Sequence, residues 1–209
     1  MASIVRLLDT GGLRVGNETY AKNNKSFGAT TLWMRHAAVA GNMLKLRFKA
    51  KSGKLCEMTV TDRRLARFVK RMQDLPGQHL FQYLDDNGEV QPVGSIEVND
   101  YLRETMGEDF TAKNFRTWHA SAIGLQTLAE AELSLKALAG AVSERLGNTP
   151  AIARKSYIHP AVIALVERQV KWRAKLKLPR ATQWLSPYER SLIALLESGP
   201  SAAKLIAAA

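Results

Sequence analysis

The sequence predicts a mostly helical α+β domain with one small antiparallel sheet near its N-terminus. Two patterns support this fold class: apolar residues recur with a period of two over residues 43–60, and with helical spacing from Thr61 onward. A chain of 209 residues with 46% hydrophobic side chains can bury a substantial core, as one large domain or two small ones.

The predicted sheet is built on a hairpin. Along residues 43–49 one face of the strand is apolar and the other is cationic. The apolar face consists of Leu44, Leu46 and Phe48, and the cationic face consists of Lys45, Arg47 and Lys49. Residues 56–60 continue the alternation after a turn at residues 51–54, so the two segments should pair. A third strand is expected at residues 30–33, and the first third of the chain is interpreted as strands.

Helices are expected after the hairpin, with a loop and a turn at residues 85–88 between the first two. Their expected ranges are about 61–72, 96–105, 112 to beyond 125, 135–146 and 187–196. Gly147 supplies a helix stop, and Ser186 with Pro187 and Glu189 forms a capping box that opens the last helix. Residues 201–209 are Ala-rich and are expected to be a frayed tail.

The charge of the chain favours a polyanionic partner. Thirty Lys and Arg residues against nineteen Asp and Glu leave a formal charge of +11, which is typical of proteins that bind nucleic acid. A solvated basic surface without a partner is the alternative. The single cysteine, Cys56, excludes an internal disulfide and a cysteine-cluster metal site. With no apolar run of the ~20 residues that span a bilayer, we expect no membrane partner and a cytosolic location.

The segment from Arg145 to Pro160 is the most informative one for function. Gly147 should end one helix, and Thr149 and Pro150 should cap and open the next, with Asn148 in the connection. Tyr157 follows about two helical turns later. This geometry can direct an amide and a phenol toward one point, although a lone Tyr after a basic helix is more often a packed or surface residue.

The segment Leu146–Tyr157 resembles the active-site segment of type IB DNA topoisomerases of the bacterial and small viral branch. It is similar, more loosely, to the corresponding segment of tyrosine recombinases, which have the same fold. Three further stretches match the topoisomerase pattern in order, and they contain Arg14, Lys51 and Arg116. The resemblance runs from about Leu7 to Val162.

The resemblance implies a catalytic set. Tyr157 would be the nucleophile that forms a 3′-phosphotyrosyl intermediate with double-stranded DNA, Lys51 would protonate the leaving 5′-oxygen, and Arg14, Arg116 and Asn148 would hold the non-bridging oxygens. These residue types suit the chemistry: guanidinium groups bind phosphate oxygens bidentately, and an ammonium can act as a general acid. Taken singly, each could instead be an ion pair, a turn residue or a helix connection.

DNA contacts are expected from nearby polar residues, namely Lys54, Lys113, Arg154, Lys155 and His159. His119 lies three residues after Arg116 and is interpreted as a packed or capping residue. Many relatives carry His where this chain has Asn148, so a general acid at that position is not expected. Neither a metal motif nor a phosphate-binding glycine loop is present, so metal and cofactor dependence are not expected.

Two alternative functions are compatible with the sequence. A tyrosine recombinase would typically carry His three residues before the second arginine, where this chain has Lys113, as topoisomerases do. A non-catalytic DNA-binding fragment is the other alternative, because the resemblance begins close to Met1 and the N-terminal clamp domain of the family is expected to be absent. We expect residues 1–200 to form a monomeric topoisomerase IB catalytic domain.

Overall fold

The structure is a computed structural model that describes residues 1–107 and 110–207. The chain divides into two units, Met1–Arg116 and Thr117–Ala209. The expected mostly helical α+β composition is confirmed, with the sheet near the N-terminus.

The first unit combines helices with a three-stranded sheet and a two-stranded hairpin. Its elements are α1 (Ala2–Gly11), α2 (Glu18–Asn24), β1 (Ala37–Ala40), β2 (Met43–Lys49), β3 (Leu55–Thr61), α3 (Arg63–Gln73), β4 (Gln82–Leu84), β5 (Val90–Pro92) and α4 (Ser95–Met106). The sheet order is β1-β2-β3, and β4 pairs with β5. Both sheets are antiparallel.

The predicted hairpin is confirmed, and the structure gives its register. Phe48 pairs with Cys56, and Leu44 pairs with Val60. Leu44, Leu46 and Phe48 of β2 are buried, whereas its cationic side chains are exposed, because successive residues of a strand point to opposite faces. The buried face packs with α1 and α3 in one apolar core that includes Leu7, Leu46 and Val69.

The expected third strand at residues 30–33 is wrong, and so is the interpretation of the first third as strands. Residues Ala29–Thr31 form a 3-10 turn, because the hydroxyl of Thr31 accepts a hydrogen bond from Gly28 N–H and that of Thr30 donates to the Val15 carbonyl. The third strand is β1 instead. Helix α1 was also missed, although Ile4, Leu7 and Leu8 have helical spacing and are buried.

The second unit consists of helices and their connecting segments in the residues that the structure describes. Helix α5 (Ala112–Glu130) contributes most of its length, followed by α6 (Leu135–Leu146), α7 (Pro150–Ser156), α8 (Pro160–Ala164), α9 (Gln169–Lys175), α10 (Pro187–Ser198) and α11 (Ala202–Ala207). The predicted caps are confirmed, since Gly147 ends α6 at φ 62° and Ser186 forms a capping box with Glu189. A second apolar core includes Leu128, Leu138, Val142 and Val162.

Candidate active site

Arg14 is positioned by the backbone around it. It follows the left-handed residue Gly12 that ends α1, and its carbonyl oxygen accepts a hydrogen bond of 2.9 Å from Ala29 N–H. Gly28 makes this approach possible, because a Cβ atom there would lie 2.6 Å from the Arg14 carbonyl oxygen and 2.6 Å from Gly16 Cα. The sequence pattern contained no signal for this requirement, since the contact joins two separate loops.

Arg116 lies close to the same turn. Its side chain is buried, with the residue 4% exposed, and its Nη1 donates a hydrogen bond of 2.5 Å to the Gly12 carbonyl oxygen. Burial raises the pKa of the Cys56 thiol, and the positive charges of Arg116 and Arg14 oppose that rise. The charges of both predicted arginines therefore act on one sulfur atom.

Lys51 lies at the tip of the β2–β3 hairpin. It begins a 3-10 turn, Lys51–Gly53, in which Ser52 has a φ of 64°, and the Ala50 N–H donates to the Lys54 carbonyl oxygen at 2.7 Å. Both lysine side chains are exposed. A short, closed turn of this kind presents an ammonium group to solvent on a rigid stem.

The cationic face of β2 is exposed, as predicted. It borders a depression of about 460 Å³ whose lining includes Arg35, Lys45 and Arg47. Arg47 also forms an ion pair of 2.7 Å with Glu57 on the neighbouring strand, which offsets part of the positive charge. Lys45 has no ion pair among the described residues, so it is the freer cation for an anionic partner.

Lys113 is exposed on the first turn of α5, one turn before Arg116. Residues three apart lie on the same side of a helix, so Lys113 extends the positive charge of the Arg116 side of α5 toward solvent.

Asn148 and Tyr157 lie at the two ends of α7. Asn148 is 8% exposed and directly precedes Thr149, whose side chain caps the helix by accepting from Ile152 N–H. Tyr157 ends the helix, and its N–H donates to the Ala153 carbonyl oxygen at 3.1 Å. The phenol side packs partly buried against the second apolar core. The cap sequence therefore brings the predicted amide and phenol to one short helix.

Three further predicted DNA contacts lie beside Tyr157. Arg154 and Lys155 are exposed in the last turn of α7. His159 caps α8, with its Nδ1 accepting a hydrogen bond of 3.1 Å from Ala161 N–H, and burial lowers its pKa. A neutral ring whose Nδ1 accepts carries its proton on Nε2, so His159 retains one donor.

His119 is half-buried on α5, and its charge acts on Glu189. The pKa of Glu189 is lowered overall. Burial raises this pKa, but hydrogen bonds from Ser186 and from the Trp118 indole, together with the charge of a protonated His119, lower it by more. The Trp118 indole N–H donates to the Glu189 carboxylate at 2.8 Å. This network joins α10 to α5, and sequence reasoning missed it because the two helices are distant in the chain.

Residues 1–107 and 110–207 contain no group of three or more His, Cys, Asp or Glu side chains placed to hold a metal ion. None of the described helices combines the length and the apolar character needed to cross a membrane.

Comparison with known proteins identifies the family of the chain. The family described as eukaryotic DNA topoisomerase I, catalytic core, has a model that matches residues 1–171. The DNA topoisomerase 1B of Acanthamoeba polyphaga mimivirus is 32% identical over 162 residues, which cover 70% of this chain and 48% of the viral protein. The DNA topoisomerase 1 of Mycosarcoma maydis is 28% identical over 167 residues, which cover 71% of this chain and 16% of the fungal protein.

The matches define the class of protein as a DNA topoisomerase I catalytic core. The chain belongs to the DNA topoisomerase I catalytic-core family, which confirms the expected resemblance to the type IB enzymes. It spans about half the length of the viral relative.

Proposed function

We propose that this chain is the catalytic domain of a type IB DNA topoisomerase that relaxes supercoiled double-stranded DNA by transient cleavage and religation of one strand, without ATP or metal. The observation that carries the proposal is the convergence of Arg116 on the Gly12 carbonyl beside Arg14, in a chain of this family. Two arginines near one turn suit a phosphodiester, which carries one negative charge and gains more in its transition state.

Cleavage begins at Tyr157. Its phenolic oxygen attacks the phosphorus, forms a phosphotyrosyl bond to the 3′ side of the broken strand, and releases the 5′-oxygen as the phosphorus–oxygen bond breaks. The phenolic proton passes to solvent during attack, because a protonated phenol is a weak nucleophile. Religation is the reverse step, in which the 5′-hydroxyl attacks the phosphotyrosyl bond and releases Tyr157.

The non-bridging oxygens require cationic and neutral donors. Arg14 and Arg116 hold them bidentately, and the Asn148 amide donates a further hydrogen bond without the ability to carry a proton to the leaving group. Proton donation falls to Lys51, whose position at the hairpin tip allows its ammonium to enter a DNA groove.

The surrounding cations hold the duplex. Lys54, Lys113, Arg154 and Lys155 are exposed and suit contacts with the phosphate backbone. His159 offers only Nε2–H, so it suits a single phosphate contact next to the nucleophile.

Three broader properties complete the proposal. The second unit, in which the nucleophile follows a short capped helix, suits the fold that type IB topoisomerases have in common with tyrosine recombinases. We further propose that the protein acts as a monomer in the bacterial cytosol, a location that suits a chain with a single cysteine.

Relaxation of supercoiled plasmid in EDTA and without ATP tests the function. The wild-type chain should relax the plasmid and, on trapping with denaturant, carry DNA on the peptide that contains Tyr157. Tyr157→Phe should bind DNA and form no adduct, whereas Tyr20→Phe, which alters an exposed tyrosine of α2, should behave as the wild type. An adduct that persists in Tyr157→Phe contradicts the assignment.

A non-catalytic DNA-binding fragment is the second candidate, because the chain spans 48% of the viral relative. It is distinguished by the same assay, since such a fragment binds the plasmid with normal salt dependence but neither relaxes it nor forms an adduct.

A further inference from the structure

The link that follows the proposed nucleophile has few restraints of its own. Tyr157 ends α7, which has seven residues, and His159 precedes α8, which has five. Helices this short are marginally stable without tertiary contacts, so their own hydrogen bonds do not hold the link in place. The N–H groups of Tyr157 and Ile158 both donate to the Ala153 carbonyl oxygen, which leaves His159 N–H to find another acceptor.

Ser121 supplies that acceptor. It lies on α5, is 2% exposed, and its Oγ accepts a hydrogen bond of 3.0 Å from His159 N–H. The same hydroxyl donates to the Thr117 carbonyl oxygen at 2.8 Å, and the Tyr157 carbonyl oxygen lies 3.5 Å away. A hydroxyl has one proton and two lone pairs, so the donation to Thr117 and the acceptance from His159 are compatible.

We propose that Ser121 is a positioning residue for Tyr157, and that its hydroxyl holds the backbone of residues 157–159 against α5 so that the phenol starts from one defined place. The inference rests on the proposed role of Tyr157 as the nucleophile. Attack requires the phenolic oxygen to lie in line with the leaving oxygen, and a misplacement of about 1 Å at a reacting group can cost roughly 100-fold in rate.

Ser143 is a buried serine of the same unit whose hydroxyl bonds only within its own helix among the described residues. It is 6% exposed and its Oγ donates to the Gly140 carbonyl oxygen at 2.8 Å, within its own helix α6. Its side chain is therefore also buried and also donates to a carbonyl of its own helix, without the bond to the segment after Tyr157. Ser143→Ala is the matched control for Ser121→Ala.

The first measurement is amide hydrogen exchange of the whole chain. Ser121→Ala removes the acceptor of His159 N–H, so exchange over residues 157–159 should rise at least tenfold, while Ser143→Ala should leave that segment unchanged. If exchange there is the same in both variants, Ser121 does not hold the link and the proposal is overturned. This measurement does not depend on activity, so it stands even if the wild type forms no adduct, which would defeat the proposed function alone.

The second measurement is single-turnover cleavage of a duplex oligonucleotide at saturating protein. Ser121→Ala should slow formation of the Tyr157 adduct roughly 10- to 100-fold, with the dissociation constant for DNA within twofold of the wild type. Ser143→Ala should cleave at the wild-type rate when each protein is assayed the same number of degrees below its own melting temperature. Faster exchange at residues 157–159 together with an unchanged cleavage rate overturns the positioning role.

A pair of variants of equal shape guards against a folding defect. Ser121→Thr and Ser121→Val both add the same volume at a buried site, but only Thr retains the hydroxyl. Thr should therefore cleave at least tenfold faster than Val at equal thermal stability. Equal rates for the two variants contradict a role for the hydroxyl.

Discussion

The guanidinium of Arg116 donates a hydrogen bond of 2.5 Å to the carbonyl oxygen of Gly12, two residues before Arg14 in the chain. Gly12 has a φ of 55° and ends α1, so the end of that helix sets the position of both arginines. The pairing depends on a contact between residues 104 positions apart.

Arg14→Ala and Arg116→Ala should slow cleavage far more than they weaken DNA binding. Their contacts with the non-bridging oxygens strengthen as charge builds in the transition state, and donors of this type contribute roughly 2.7–4 kcal/mol, or about 100- to 1,000-fold in rate. Single-turnover cleavage and equilibrium binding of the same oligonucleotide measure the two effects.

Arg103→Ala serves as the charge-matched control, because it also removes one cation from the chain. Arg103 lies on α4, where its side chain is paired with Asp100. It should leave the cleavage rate unchanged. Equal losses of affinity and of rate in the two arginine variants would mark Arg14 and Arg116 as ordinary phosphate contacts.

Gly28→Ala should lower both the stability and the cleavage rate. A Cβ at this position would lie 2.6 Å from the Arg14 carbonyl oxygen, and backbone atoms cannot move aside cheaply, so the segment that carries Arg14 must shift. Gly140→Ala is the control, because it lies within α6 with open space around its Cβ and should raise stability by up to about 1 kcal/mol. Thermal melting and single-turnover cleavage check both variants, and an unchanged rate in Gly28→Ala is the contrary outcome.

Lys51→Ala should cleave an ordinary phosphodiester very slowly and recover most of the wild-type rate when sulfur replaces the leaving 5′-oxygen. A thiolate leaves without a proton, so the general acid is no longer needed. Arg14→Ala should recover less, since its contacts are with the non-bridging oxygens. If sulfur leaves the Lys51→Ala defect unchanged, Lys51 acts through its charge or position, and Lys54 on the same turn becomes the next candidate acid.

DNA binding should weaken steeply with salt through the exposed face of β2. Each neutralised phosphate contributes about −0.9 to the slope of log K against log salt, so Lys45→Ala should make the slope shallower by about that amount. Arg47→Ala should change it less, because Arg47 is already paired with Glu57. Titrations over a range of salt concentrations measure the slopes, and a slope near zero for the wild type would refute docking through this face.

Alkylation of Cys56 should block cleavage, because the thiol lies within electrostatic reach of Arg116 and Arg14. Only the thiolate reacts, and burial raises the pKa of Cys56 above its ordinary value of 9.0, although the two arginines oppose the rise. The thiolate is the minor form below that pKa, so the alkylation rate should keep increasing as pH rises past 9.0. Mass spectrometry measures the modification.

Cys56→Ala provides the control for that experiment. It should cleave normally and be insensitive to the reagent, since Cys56 has no proposed chemical role. Alkylated protein that still cleaves at the full rate would show that the sulfur lies too far from the arginines to obstruct them.

Local patterns were sufficient for many elements of this protein. The β2–β3 hairpin follows from alternation, and the ends of α6 and α7 follow from Gly147, Thr149 and Pro150, because strand faces and helix caps depend on residues a few positions apart. The expected strand at residues 30–33 failed where Thr30 bonds to Val15, a partner 15 positions away.

The tertiary structure decided how the candidate site is arranged within each unit. Arg116 reaches Gly12 and Ser121 reaches His159 across 104 and 38 positions, and neither pairing leaves a periodic or capping signal in the sequence. The sequence by itself determined which residue types are present and which short segments carry them, because those depend on near neighbours. Which distant groups satisfy one another's hydrogen bonds depends on the path of the whole chain, and only the folded structure specifies that path.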